Sequence, residues 1–220
     1  MEHIVHSWSG GKDSSLALYE LMKNKKWHVQ YLLTTITKDY DRVSMHGIRR
    51  ELMIKQAESI GIKLDVALIP KNSTNAEYEK AMEEKLISYK SKGITRVSFG
   101  DIFLEDIRQY RESRLKELNM NCIFPIWGRD TKELSKQIIS LGFKAVVCTV
   151  DPRKVPKQFV GRQYDEDFLE SLPEGVDPCG EHGEFHTFVY DGPIFNKPIK
   201  IQVKDSVLRD SFYFSDIIMV

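Results

Sequence analysis

HSWSGGKDSSLALYELMK, residues 6–23, changes character twice over a short span. Ile4 and Val5 lead into it with Trp8 before the turn, which reads as a short buried strand. A polar turn follows, built from Ser9, Gly10, Gly11, Lys12, Asp13, Ser14 and Ser15. Leu16, Ala17, Leu18, Leu21 and Met22 then recur at helical spacing. The order is strand, Gly-rich turn, helix. A helix N-terminus offers free N–H groups and the positive end of the macrodipole. Two adjacent glycines let a bulky anion approach the backbone without Cβ clashes. The serine hydroxyls and the Lys12 ammonium complete a set suited to phosphate. A Gly-Gly turn with a serine cap would explain Ser14 or Ser15, but not Lys12 and Asp13 beside the glycines.

Two common phosphate loops do not fit. A Walker A loop needs Gly where His6 stands and Ser or Thr where Asp13 stands. The GxGxxG fingerprint fails because the glycines are adjacent and no third follows. The six residues SGGKDS instead resemble the loop of the ATP pyrophosphatases (PP-loop), which cleave ATP between its α and β phosphates. That resemblance implies that Ser9, Gly10, Gly11, Lys12, Asp13 and Ser14 hold ATP.

The 220 residues allow one large domain or two small ones. The formal net charge is zero, so no global basic field argues for nucleic acid, although a local patch stays open. Cys122, Cys148 and Cys179 lie far apart with no CxxC pair, which argues against a zinc ribbon or a disulfide framework. Free thiols suit a reducing, cytoplasmic setting. The N-terminus lacks the apolar stretch of a signal peptide, and no run approaches a membrane span.

Strands are expected at 29–36, 64–70, 95–100 and 121–127, alternating with helices at 48–61, 76–92 and 105–118. This alternation predicts an α/β fold, a parallel sheet with helices on both faces. Ligands in such sheets sit at the carboxyl ends of strands. SGGKDS lies at such an end, as do Thr34 to Thr37 and the pair Gly100–Asp101. A helix at 131–141 and a strand at 144–150 open the second half, with Cys148 placed in the core. Residues 151–184 read as a polar, Pro-containing loop region. The remainder alternates apolar and polar residues as antiparallel strands. The expected division is an ATP-binding domain at 1–126 and a smaller α+β substrate-binding domain at 127–220.

The second dense stretch is CGEHGEFHTFVYDGP, residues 179–193. Glu181, His182, Glu184 and His186 crowd together between glycines. On a strand over 184–189, Glu184 and His186 share a face with Phe188, while Thr187 points away. A metal site, a polar turn into an edge strand and a substrate pocket facing the phosphate loop all remain open. In the last reading the carboxylates orient ammonia or an amine, or hold magnesium.

SGGKDS and GEHGEFHTFVYDGP together resemble the diphthine–ammonia ligase family of ATP-binding proteins. SMHG (44–47), FGDIFLEDIRQYRE (99–112), PIW (125–127) and Gly161–Arg162 extend the match along nearly the whole chain. The resemblance implies an adenine nucleotide alpha hydrolase-like (HUP) domain joined to a smaller C-terminal domain. It also implies ATP with magnesium, a carboxylate substrate and ammonia. The carboxylate is either protein-bound diphthine or a small molecule. The family signature resembles EGGEFET, whereas this chain reads EHGEFHT, with His182 and His186 at two changed positions. That change bears on the substrate more than on the ATP chemistry and is similar to a bacterial branch.

From this follow the expected roles. Lys12, Asp13, Glu181 and Glu184 are the candidate catalytic residues. Gly100 joins the loop in nucleotide binding, and Asp13 is the candidate magnesium ligand. His46, Asp101, His186 and Thr187 are the candidate substrate residues. His46 either caps a helix or touches substrate. Asp101 and Glu105 face magnesium or ribose, or Asp101 caps the next helix. Arg108 and Arg111 read as a solvated helix face or as anion contacts. Two other functions use the same loop: a PP-loop enzyme acting on tRNA, and a non-catalytic adenine-nucleotide sensor. Self-association into a homo-oligomer stays open.

Overall fold

The computed structural model describes residues 1–220. Its first half is built around a largely parallel sheet. The strands are β1 (Glu2–Ser7), β2 (Trp27–Thr37), β3 (Arg42–Val43), β4 (Lys63–Ile69), β5 (Arg96–Ser98) and β6 (Asn121–Ile123). The parallel strands run in the order β4-β2-β1-β5-β6, and the short β3 joins β2 antiparallel at Ile36 and Thr37. The helices are α1 (Lys12–Lys23), α2 (Arg50–Ile60), α3 (Asn75–Lys90) and α4 (Glu105–Glu117).

Strand alternation decides which helix covers which face. Ile4 and Leu32 turn into a core shared with Leu16, Leu18 and Leu21 of α1 and Leu52 and Met53 of α2. Their neighbours Val5 and Leu33 enter a separate core with Leu86 and Tyr89 of α3 and Leu115 of α4. Both faces are therefore covered, as the alternating sequence predicts. Gly61 closes α2 in the left-handed conformation (φ +82°), which glycine adopts without Cβ strain.

The second half follows α5 (Thr131–Ser140). Strand β7 (Lys144–Val150) opens a new sheet with β8 (Phe185–Asp191), β9 (Ile201–Arg209) and β10 (Phe212–Met219). Its order is β8-β7-β10-β9 and every pair is antiparallel. Cys148 is fully buried in β7. The stretch read as a loop at 151–184 contains a 3₁₀ turn at Lys157–Phe159 and a short helix, α6 (Glu166–Glu170). Phe159 and Phe168 from these turns enter the same core as α1, so one apolar cluster runs through both halves. No helix is long and apolar enough to cross a membrane.

Asp216 of β10 fastens the halves. It accepts from Arg42 Nη2 at 2.9 Å and from Arg49 at 2.8 and 3.0 Å. Arg49, then Arg42, draws the Asp216 carboxyl down from 3.8 to about 2. A lowered carboxyl stabilises the fold above its unfolded value and loses that contribution as pH falls through its folded value. The side chain is 30% exposed, so solvent screening reduces the gain to about 1 kcal/mol. Asp216→Asn is expected to lower urea stability by that amount at pH 7, and the deficit should vanish between pH 3.8 and about 2. An equal deficit at both ends would disprove the ion-pair origin.

Candidate functional site

The turn between β1 and α1 sits where the parallel sheet reverses its order. From β1 the chain crosses to β2 on one side, while β5 lies on the other. Such a switch point opens a crevice at the strands' carboxyl ends. A cavity of about 390 Å³ occupies this place, lined by the Gly-Gly loop, the ends of β2 and β5, the 44–46 loop and residues 179–187.

The loop is built to leave its helix end open. Gly11 is the N-cap of α1 and no side chain caps the first turn. Gly10 has φ +76°, and a Cβ there would meet Gln56 Oε1 at 2.7 Å. Gly100 ends β5 against the same turn, and its Cβ would lie 2.9 Å from Ser14 N. Ser9 Oγ accepts from Gly11 N–H at 3.2 Å and lies 3.0 Å from Ser14 Oγ. Beneath the turn, His6 bridges Ser98 Oγ (2.7 Å) and the Ser14 carbonyl (2.9 Å). Burial lowers His6 to about 4, so it is neutral at pH 7.

Lys12 is 1% exposed. Its Nζ donates to Asp13 Oδ2 at 2.9 Å and to the Cys179 carbonyl, between the rings of Tyr164 and Phe185. Burial works against its charge, but Asp13 and its neighbours outweigh that and hold the ammonium above its usual value. The Lys12 N–H donates to Thr187 Oγ1 at 3.1 Å. Lys12 thus joins the first motif to the second at both Thr187 and Cys179.

Ser9, Gly11, Lys12, Asp13, Ser14, His46, Gly100, Asp101, Glu181, His186 and Thr187 all line the cavity. Gly10 stands behind the wall, its carbonyl accepting from Gln56 Nε2 and Val189 N–H. Glu184 is not brought in. It is 3% exposed and turns back toward the Asp177 N–H at 3.4 Å. Thr187 was expected to point away from His186, yet both reach the cavity because the loop closes over the end of β8.

Glu181 Oε1 accepts from Ile102 N–H at 2.8 Å and Phe103 N–H at 3.4 Å, tying the second motif to the segment after β5. Burial, with Asp13 and Asp101 adding to it, pushes the Glu181 carboxyl up to about 7. The His46 and His186 rings lie 4.5 Å apart at 33°. Burial lowers both, His46 to about 4 and His186 well below its usual value, so the pair is neutral. His186 Nε2 has no hydrogen-bond partner. Thr149 Oγ1 donates to the Met45 and His46 carbonyls and holds that loop in place.

Several open alternatives now close. Asp101 does not cap α4, whose N-cap is Leu104. It pairs with Arg111 instead, Oδ2 to Nε at 2.6 Å, and Arg111 lines the cavity. Arg108 pairs with Glu112 on the surface, and Glu105 accepts from Gln109 outside the cavity. His182 packs edge-on against Phe103. No three His, Cys, Asp or Glu side chains come together as a metal site. Magnesium held mainly by phosphates needs only one or two protein carboxylates. Asp13 fits that need, because its Oδ1 is buried at the cavity and unpartnered.

Sequence reading missed Gln56 and Tyr164. Gln56 is fully buried, donating to Val189 O at 2.5 Å while accepting from Trp8 Nε1 at 3.0 Å. Its position on the α2 pattern is apolar-facing, which is the signal a buried polar strut leaves in a sequence.

The chain also matches known proteins. Residues 1–122 match the family described as diphthamide synthase N-terminal domain, and residues 130–217 its C-terminal domain. A rat diphthine–ammonia ligase is 30% identical over 60% of this chain and 51% of its own length. The human protein of that name is 28% identical over 71% of this chain and 61% of its own length. A fission yeast relative, Schizosaccharomyces pombe diphthine–ammonia ligase, is 27% identical over 70% of this chain and 26% of its length. The chain therefore aligns with between about a quarter and three fifths of the length of these relatives. With both domain families matched in order along one polypeptide, the chain belongs to the diphthamide synthase family.

Proposed function

We propose that the chain is an ATP-dependent adenylating ligase that activates a carboxylate and converts it to an amide with ammonia. The observation that carries this reading is the uncapped first turn of α1, placed at the sheet's switch point with Lys12 buried beside it. Residues 1–126 bind the nucleotide, and residues 127–220 supply the substrate side of the cavity. The relatives' name points to diphthine and ammonia as substrates; a small carboxylate is the other candidate.

In this mechanism the loop N–H groups and Lys12 hold the β and γ phosphates. The substrate carboxylate attacks the α phosphorus, and the bond to the β-phosphate oxygen breaks to release pyrophosphate. Preorganised donors stabilise the charge that develops on that leaving group. Magnesium, held by Asp13 together with the phosphates, would neutralise phosphate charge. Ammonia then attacks the acyl carbon, AMP leaves, and Glu181 takes the proton that the nitrogen loses. The neutral His46–His186 pair faces the same space and offers lone pairs to the incoming N–H groups.

Two results test this. Hydroxylamine in place of ammonia, with ATP, magnesium and an extract of the source cells, should trap the acyl-adenylate as a hydroxamate. AMP formation without any hydroxamate would reject carboxylate activation. The rate of amide formation should rise as pH passes about 7, where Glu181 becomes a base. Glu181→Gln should remove that inflection and lower turnover by roughly a hundredfold. A profile unchanged by the substitution would take Glu181 out of the proton transfer.

A further inference from the structure

A second cavity of about 110 Å³ opens between α3 and α4. It is contiguous with the site above: Tyr78, Met82, Phe99 and Arg111 line both. Its floor is apolar, formed by Leu86 and Leu115 with Phe99, and all three are buried. Its rim carries charge: Arg114 is shared by two carboxylates, and Glu83 has no ion pair. Arg114 reaches Glu79 at 2.6 Å and Glu117 at 3.2 Å, and Tyr110 OH donates to Glu79.

Arg111 stands where the polar and apolar spaces meet. Its guanidinium lies 4.4 Å from the Phe99 ring centre. Nη2 donates to Asp101 Oδ1 at 3.1 Å, while Nε lies 2.6 Å from Asp101 Oδ2 in poor alignment. That leaves Nη1 without a partner in the chain, as the donor for an incoming carboxylate. The apolar floor beside it would take an apolar group on the same molecule.

We infer that the α3–α4 pocket binds the apolar tail of the carboxylate substrate, a branched aliphatic or aromatic group of about four to six carbons. The inference rests on the ligase reading for the identity of the ligand as a carboxylate. The size follows from volume: a dry cavity of ~150 Å³ accepts benzene, and this one is somewhat smaller. The ATP base is the competing occupant, since the pocket adjoins the nucleotide cavity.

Methyl spectra of the full chain, labelled at Met and Leu, would decide it. The probes are acetate, butyrate, 4-methylpentanoate and phenylacetate, each added with and without ATP and magnesium. The expected result is that 4-methylpentanoate and phenylacetate shift Met82, Leu86 and Leu115 methyls while acetate does not. Affinity should tighten roughly fourfold per added CH2 from butyrate onward, until the pocket is full. Leu118→Trp, at a half-buried rim position, should abolish those shifts while ATP still shifts the Gly10 and Gly11 amides. Unmoved methyls at saturating probe would overturn the inference, as would wild-type probe binding by Leu118→Trp. Strong shifts of Leu86 and Leu115 by ATP alone would assign the pocket to the base and overturn it too. The ligase reading fails separately, by absence of any ATP shift at Gly10 and Gly11.

Discussion

Lys12→Met is expected to cut ATP-dependent pyrophosphate release by about a hundredfold to a thousandfold, the usual cost of removing one preorganised donor from a developing negative charge. Methionine keeps most of the buried volume between Tyr164 and Phe185 and removes only the charge and its hydrogen bonds. The substitution also strands Asp13 and the Cys179 carbonyl. Losing one partner of a largely buried pair costs about 3 kcal/mol. The two effects separate by measurement. Urea unfolding reads the stability loss, and turnover of the fraction still folded reads the chemical loss. Lys12→Arg keeps the charge but not the compact ammonium, and should recover stability better than turnover. If Lys12→Met turned over at the wild-type rate once folding was corrected for, Lys12 would be a structural bolt alone.

Gln56→Met is expected to lower stability by about 2–4 kcal/mol, because buried groups that lose their partners cost about 1–3 kcal/mol each. Trp8 Nε1 loses its acceptor and Val189 O loses a donor, whereas Gly10 O keeps the Val189 N–H. The double variant Trp8→Phe with Gln56→Met removes the orphaned indole donor. It should therefore be less destabilised than the sum of the single variants. Strict additivity would show that the indole hydrogen bond carries no weight. The same variants should weaken ATP binding, since Gln56 packs under Gly10, the residue whose left-handed backbone shapes the loop.

What the sequence revealed was local. The strand, the Gly-Gly turn and the helix are neighbours in the chain, so their periodicity and turn chemistry can be read together. Most helices and strands of the first half fall within a few residues of their expected ends for the same reason, but the strand expected at 121–127 ends at Ile123, where Phe124 and Pro125 lead into a turn. The second motif was legible as a cluster, but the direction of each side chain was not. Glu184 and Thr187 exchanged places relative to a simple strand reading, because the Lys12 N–H fixes Thr187 and the Asp177 loop draws Glu184 back. Arg111 looked like a solvated helix residue; only its approach to Asp101, across the β5–α4 turn, brings it to the cavity. Gln56 and Tyr164 act through residues far away in the chain, at Trp8, Val189 and Lys12, and no spacing rule reports such contacts. Asp216 is the same case: its two arginines come from the other half of the polypeptide.

The central claim is that the turn at residues 9–14 holds the pyrophosphate end of ATP during cleavage between the α and β phosphates. Phosphorus NMR of the protein with ATP, magnesium, ammonium and a dialysable extract of its own cells tests it most directly. The account predicts AMP and pyrophosphate in equal amounts, both lost in Lys12→Met. ADP and inorganic phosphate would contradict it, and would place this loop among those that transfer the γ phosphate.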